Sequence, residues 1–247
     1  MPEFKYNYLL FFEYDGTNFV GWQKQPEGRT VYSQIEKAAK VVLGDIKLTG
    51  SSRTDSGVHA ESSAANILAN KKIILSKLKL SLNSLLPKDI AIKQIKYVGI
   101  GFNARFDAKE KIYEYRIWNK TNRNVWTKKY AWHIAKPLDT AAIRKATKVL
   151  LGKHDYSAFC GSKASPGSRW VNLKDISVKR KNSHLVLGFR ADRFLNHMVR
   201  NMVGTLVYAG LGKLSTQEIG EILKNRKYAI LGQAAPGHGL FLKKVIY

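Results

Sequence analysis

A single cysteine, Cys160, stands in a chain of 247 residues, so an internal disulfide framework and a multi-cysteine zinc site are both excluded. Acidic residues are scarce. Eighteen Asp and Glu face 42 Lys and Arg, leaving a formal charge of +24 and a pI near 10.0. That excess is large for an enzyme of small neutral molecules and points to a polyanionic partner, because every phosphate a cation neutralises releases condensed counterions. No apolar run approaches about 18 residues, and no basic amphipathic helix stands out, which weakens the rival case for an anionic membrane. Residues 1–5 lack the apolar core of a signal peptide. Together with the lone cysteine, this leads to the expectation of a reducing cytoplasm. Short-period repeats and low-complexity tracts are also missing.

What remains is enough for a packed interior. Hydrophobic residues make up 45% of a 27.9 kDa chain, which suits one large domain or two small ones. The apolar stretch 6–14, closed by Asp15-Gly16, predicts a buried strand. Segment 16–30 carries Phe19, Trp22 and Pro26 but is too polar for a core element; its aromatics either touch a base or anchor a loop. Ile35, Ala38, Ala39, Val42 and Leu43 recur at helical spacing, with Thr30 or Ser33 to cap the start and Gly44 to end it. Strands are expected over 45–48 and 64–68. A second helix, capped by Ser76, aligns Leu78, Leu82, Leu85 and Leu86 and stops at Pro87. Residues 90–98 read as a strand.

The glycines and polar residues of 99–107 mark a boundary, giving halves 1–107 and 108–247. Beyond it, Tyr113, Tyr115 and Ile117 fall on one strand face. Loop 120–129 is basic, rich in Asn, and carries Trp126. Asp139 caps a third helix with Ile143, Ala146, Val149 and Leu150 inward and Gly152 at its end. Segment 154–169 is rich in Gly and Ser and is expected to be mobile. Strands over 171–178 and 185–190 flank a basic turn at Lys179-Arg180-Lys181. Helix 196–210 stacks Met198, Met202 and Leu206, a capping box at 215–218 opens the last helix, and 240–247 closes as a strand. Both halves alternate strands and helices, so the fold class is α+β with mostly antiparallel sheets.

The stretch with the densest chemistry is Gly50-Ser51-Ser52-Arg53-Thr54-Asp55-Ser56-Gly57-Val58-His59-Ala60. Turn formers dominate it, so it suits a tight loop presenting one acid, Asp55, at its tip. On composition alone, a polar surface turn, with Asp55 bonding its own backbone, is the favoured reading. The six histidines are scattered without ligand spacing, so no metal is expected. Cys160 near His154 lacks the spacing of a thiol nucleophile. A glycosidase would need two placed carboxylates, and only Asp55 has such a setting.

Arg53 to Ala60 resembles the signature of the TruA family of tRNA pseudouridine synthases. Four further runs resemble the same family in the same order. These are the run 14–23, the strand around Tyr113 and Tyr115, the run Phe194-Leu195-Asn196-His197-Met198-Val199-Arg200-Asn201-Met202-Val203-Gly204, and Ala235-Pro236-Gly237-His238-Gly239-Leu240-Phe241-Leu242. Residues 154–159 match a central run as well. Two departures are small: Ser52 stands where the family usually has glycine, and Ser56 where it has alanine.

The resemblance implies that Asp55 is the catalytic residue, that Arg200 pairs with it, that Tyr113 lies in the active site, where its ring could stack on the uracil, and that Arg53 helps displace the target base. His59 is carried as a substrate-binding candidate, and Tyr115 is read as an ordinary inward residue. It also implies the pseudouridine synthase fold, with the sheets of the two halves joined in one extended platform and the active cleft between them. No cofactor is implied, because the product is an isomer of the substrate. A homodimer acting on tRNA, at positions 38, 39 and 40 of the anticodon stem-loop, completes the expectation. The rivals are a non-catalytic tRNA-binding or chaperone protein on the same scaffold, and a pseudouridine synthase with another RNA target.

Overall fold

The computed structural model describes residues 4–161, 168–225 and 232–247. Residues 1–3, the middle of the Gly/Ser-rich segment at 162–167, and residues 226–231 lie outside the described residues. The chain divides into two compact units, one of residues 1–109 with 242–247 and one of residues 110–241.

The first unit is built on β1 (Tyr6–Tyr14), α1 (Val31–Leu43), β2 (Ile46–Gly50), β3 (His59–Ala69), α2 (Leu75–Leu85) and β4 (Ile90–Val98). β1 lies between β4 and β3, antiparallel to both, and β2 pairs with β3, also antiparallel. Tyr8, Leu10 and Phe12 of β1 are fully buried, as are Ile35 and Ala39 of α1 and Leu78 and Leu82 of α2. Thr30 caps α1 by accepting from the Ser33 N–H, and Gly44 ends it with φ of 78°. A Ser or Thr cap of this kind stabilises a helix by about 1 kcal/mol.

Ser76 does not cap α2, which starts one residue earlier behind Ile74 with no side-chain cap. Leu85 likewise points outward at 47% exposure. The other face of β1 is closed by a polar pair. Asn66 Nδ2 donates to Asn7 Oδ1, while Asn7 Nδ2 donates to the carbonyls of Gly99 and Phe102 and Asn66 Oδ1 accepts from the Ala104 N–H. This network fastens the 99–104 segment to the sheet.

The second unit contains β5 (Glu110–Trp118), β6 (Trp132–His133), α3 (Thr140–Leu150), β7 (Gly152–Asp155), β8 (Trp170–Lys181), β9 (His184–Ala191), α4 (Met198–Gly210) and α5 (Thr216–Asn225). β9 joins β5 to β8 in antiparallel pairing, β7 adds to β8, and the short β6 runs parallel to β5. The last strand, β10 (Leu240–Ile246), begins at the end of this unit's chain and finishes in the first.

Tyr115, Leu187 and Met202 are fully buried, and α3 packs on α4 and α5. Asp139 caps α3 through the N–H groups of Ala141 and Ala142. The capping box at α5 is present: Ser215 Oγ accepts from the Glu218 N–H, and Glu218 accepts from the Ser215 N–H. Two expectations need correction. Lys179, Arg180 and Lys181 belong to β8, paired with Val186, Leu185 and His184, and the turn is made by Asn182 and Ser183, with Asn182 at φ 54°. The start of segment 154–169 is ordered as the end of β7 and a 3-10 turn, Ser157–Phe159.

Glu110 opens β5 between two cations, with Arg190 Nε at 2.5 Å and Lys174 Nζ at 2.6 Å. Hydrogen bonds from Arg190, then Lys174, pull its pKa down from 4.5 to about 2. A depressed carboxylate contributes stability above its unfolded pKa and loses that contribution as pH falls through the folded one. Glu110→Gln is therefore expected to flatten the fall in thermal midpoint between about pH 4.5 and pH 2. The check is a pH series of melts on both proteins, and identical slopes would refute it.

Candidate active site

The Asp55 loop leaves the sheet after Gly50 and returns at His59. The backbone is tied on both sides of the acid by the segment that follows β1. Trp22 N–H donates to the Thr54 carbonyl at 3.0 Å, and Gly57 N–H donates to the Phe19 carbonyl at 3.2 Å. The hydroxyls of Tyr14 and Thr54 meet at 2.7 Å, and Val58 N–H closes a turn on the Asp55 carbonyl at 3.2 Å. Phe19 and Trp22 are 3% and 4% exposed, so these aromatics anchor the loop and do not touch a base. A Cβ on Gly16 would sit 2.0 Å from the Val58 carbonyl oxygen, so only glycine permits this approach.

Thr54 is buried, while Arg53 is exposed and Asp55 is half-buried. The loop thus grips through Thr54 and presents its neighbours. His59 is only 2% exposed. Its Nδ1 accepts from the Gly16 N–H at 3.0 Å and lies 3.1 Å from Asp15 Oδ1. Asp15 is itself occupied as acceptor for Thr17. Ser52, at the position of the usual glycine, is buried, and its hydroxyl has no partner among the described residues.

In the second unit, α4 begins after His197, which adopts φ 59°. Arg200 lies in the first turn of α4 and is half-buried. Its Nε donates to the Ala235 carbonyl at 2.7 Å, and the Ala235 N–H donates back to the Arg200 carbonyl at 3.0 Å. This reciprocal pair fixes the stem of the guanidinium, so it is no solvated helix face. Tyr115 is fully buried and donates its hydroxyl to the Pro236 carbonyl at 2.8 Å, as an inward strand residue should. Burial raises the pKa of its hydroxyl strongly, against a smaller opposing pull from Arg200.

Tyr113 is 7% exposed, with its ring edge-on to Phe194 at 5.0 Å and 83°. The structure therefore gathers Arg53, Asp55 and His59 on one loop of the first unit, and holds Tyr113 and Arg200 in the second. Two contributors escaped the sequence reading: Ala235, whose backbone holds Arg200, and Gly16, whose missing side chain admits the loop. Among the described residues, no group of three or more His, Cys, Asp and Glu could hold a metal ion. Cys160 is buried beside Arg169, and burial pushes its thiol up, which keeps it protonated and a poor nucleophile.

Fold and residues together describe a cationic α+β protein whose first unit presents a carboxylate on a braced loop and whose second unit holds an anchored arginine and a tyrosine. Comparison with known proteins narrows this. The sequence model of the family described as tRNA pseudouridine synthase matches residues 10–107 and 146–247. A tRNA pseudouridine synthase A of Thermoanaerobacter sp. (strain X514) is 42% identical over 242 residues, covering 98% of this chain and 99% of that protein. Its counterpart in Acetivibrio thermocellus is 39% identical over the same length and shares, and that of Halalkalibacterium halodurans is 38% identical over 229 residues, 92% of this chain and 87% of that one. The chain belongs to the tRNA pseudouridine synthase family, isomerases that act on uridine in tRNA. Asp55, Arg53, His59 and Arg200 lie inside the segments the family model matches, and Tyr113 lies between them.

Proposed function

We propose that this protein converts uridine to pseudouridine at positions 38, 39 and 40 of tRNA, with Asp55 as the nucleophile. The observation that carries the reading is Asp55 itself, the one carboxylate in residues 46–60, half-exposed on a loop whose backbone is tied on either side of it. In the reaction the N1–C1′ bond breaks, the uracil turns over, a C5–C1′ bond forms, and the C5 proton is lost while N1 gains one. Atoms and electrons balance without a co-reactant. A carboxylate divides this into easier steps, whether it adds at C6 of the base, at C1′ of the sugar, or assists an elimination.

In this reading the two units meet so that their sheets form one platform, and Arg200 reaches Asp55 from the second unit. A guanidinium there would orient the carboxylate. Tyr113 would lie against the uracil and relay the C5 proton. Arg53, exposed two residues from the acid, would fill the space left when the target base leaves its stack, a step costing a few kcal/mol. His59, being buried, would serve the substrate only by holding Gly16 against the loop. The protein would work as a cytoplasmic homodimer. Among the described residues, no helix is long and apolar enough to cross a membrane.

The test uses tRNA transcripts tritiated at C5 of uridine. Tritium should pass to water in proportion to the uridines at positions 38, 39 and 40, and replacing those by cytidine should abolish release. Release that survives the replacement would place the target elsewhere in tRNA. No release from any tRNA would point to another RNA.

A further inference from the structure

The loop after β5 is firmly tied, yet it leaves its largest apolar side chain in solvent. From residue 115 to residue 138 there is no carboxylate, while Arg116, Lys120, Arg123, Lys128, Lys129 and Lys136 all fall there, with three of the five tryptophans. The base of the loop is pinned by Asn119. Its Nδ2 donates to the carbonyls of Ile134 and Lys136, and its Oδ1 accepts from the Leu138 N–H and from Arg180. Trp118 Nε1 donates to the Asn122 carbonyl at 2.8 Å, and its ring meets His184 edge-on at 5.0 Å. Asn124 Oδ1 accepts from the Trp126 N–H at 2.9 Å and forms the turn at the tip. With the backbone so satisfied, Trp126 is still 87% exposed and Val125 61% exposed. Two hollows of about 490 Å³ and about 670 Å³ open on this loop and share Trp118, Arg123, Asn124 and Val125 as walls.

We propose that this loop is an RNA-docking site in which Trp126 stacks on an unpaired nucleobase while Lys120, Arg123 and Lys128 hold the flanking phosphates. An exposed indole ringed by cations is the composition of a single-strand stacking platform. A carboxylate there would repel phosphate, and none is present over 24 residues. A second copy of the chain is the poorer occupant, since it would bring the same +24 charge to a face that already lacks acids. The family model matches residues 10–107 and 146–247, and the loop lies between those two matches. The inference rests on the reading of RNA as substrate and adds a place where that RNA is gripped.

The test measures binding of unmodified tRNA transcript by filter retention at several salt concentrations, for wild type, Trp126→Ala, Trp126→Phe and the double variant Arg123→Ala/Lys128→Ala. Turnover and sedimentation are measured alongside. Trp126→Ala should weaken binding about tenfold, as expected when one base–aromatic stack is removed, with its salt slope unchanged and its melting point kept. Trp126→Phe should recover most of the affinity. The double variant should lower the salt slope by about 0.7 for each single-strand phosphate left without its cation. Unchanged affinity in Trp126→Ala would overturn the proposal, and so would conversion of a dimer to a monomer, which would make the loop an interface between copies. Binding is read separately from turnover. An inactive wild type would count against the proposed reaction, and a Trp126→Ala that binds as well as an active wild type would count against the loop alone.

Discussion

Asp55→Asn is expected to reduce tritium release from tRNA by about 10⁴-fold or more, while tRNA affinity stays within about threefold of wild type. Removing an enzyme's nucleophile typically costs this much, because the covalent route closes and only binding and positioning remain. Asn keeps the shape of the side chain, and the loop is braced by backbone bonds from Trp22, Gly57 and Val58 and by the side chains of Tyr14, Thr54, Ser56 and His59. The loop should therefore hold its form. Removing a negative charge from a surface that meets phosphate will, if anything, strengthen binding. Asp55→Glu sharpens the test. It keeps the charge but displaces it by one methylene, and a displacement near 1 Å costs about 10²-fold where geometry governs the rate. The expected order is wild type, then Glu, then Asn. Turnover by Asp55→Asn equal to wild type would remove Asp55 from the chemistry.

The acid was legible because turn formers crowd around it and because the run matches a known family. What braces it was not legible. Phe19 and Trp22 sit among polar residues in sequence, so local composition leaves open whether they touch a base or anchor a loop. Their burial comes from partners far along the chain: Trp22 stacks on Phe12 at 5.6 Å and bonds Thr54. Asn7 and Asn66 fail for the same reason, since neither shows in sequence that the other will satisfy it. Periodicity found α1, α3 and α4 well, because their apolar faces are long and regular.

Short-range signals misled at two ends. Ser76 is a good cap by type, but the helix begins a residue earlier, a shift that a single hydroxyl does not control. Lys179-Arg180-Lys181 looks like a turn by charge, yet pairing with β9 carries the strand through it, and a two-residue connection with Asn182 in the left-handed region suffices. Arg200 shows the limit most clearly. Sequence placed it on a helix, and only the fold reveals that Ala235, 35 residues later, fixes its stem.

Gly16→Ala is expected to cut turnover by about 10²-fold and to destabilise the protein by about 2–4 kcal/mol, for one steric reason. The new methyl would lie 2.0 Å from the Val58 carbonyl oxygen and 2.5 Å from its carbon, and both atoms are backbone. A flexible side chain could move aside, but a main-chain carbonyl three residues after Asp55 moves only if the loop moves. The same shift stretches the Gly16 N–H bond to His59, so the two ties nearest the return into β3 are strained together. Melting temperature and tritium release should fall in concert, while tRNA affinity, carried by cations spread over the surface, should hold within about threefold. Gly99→Ala is the control. A Cβ there meets nothing within 4 Å, so the variant should match wild type in stability to within about 0.5 kcal/mol and in rate. A Gly16→Ala protein with normal turnover would mean that the loop tolerates displacement and that Asp55 needs no such seating.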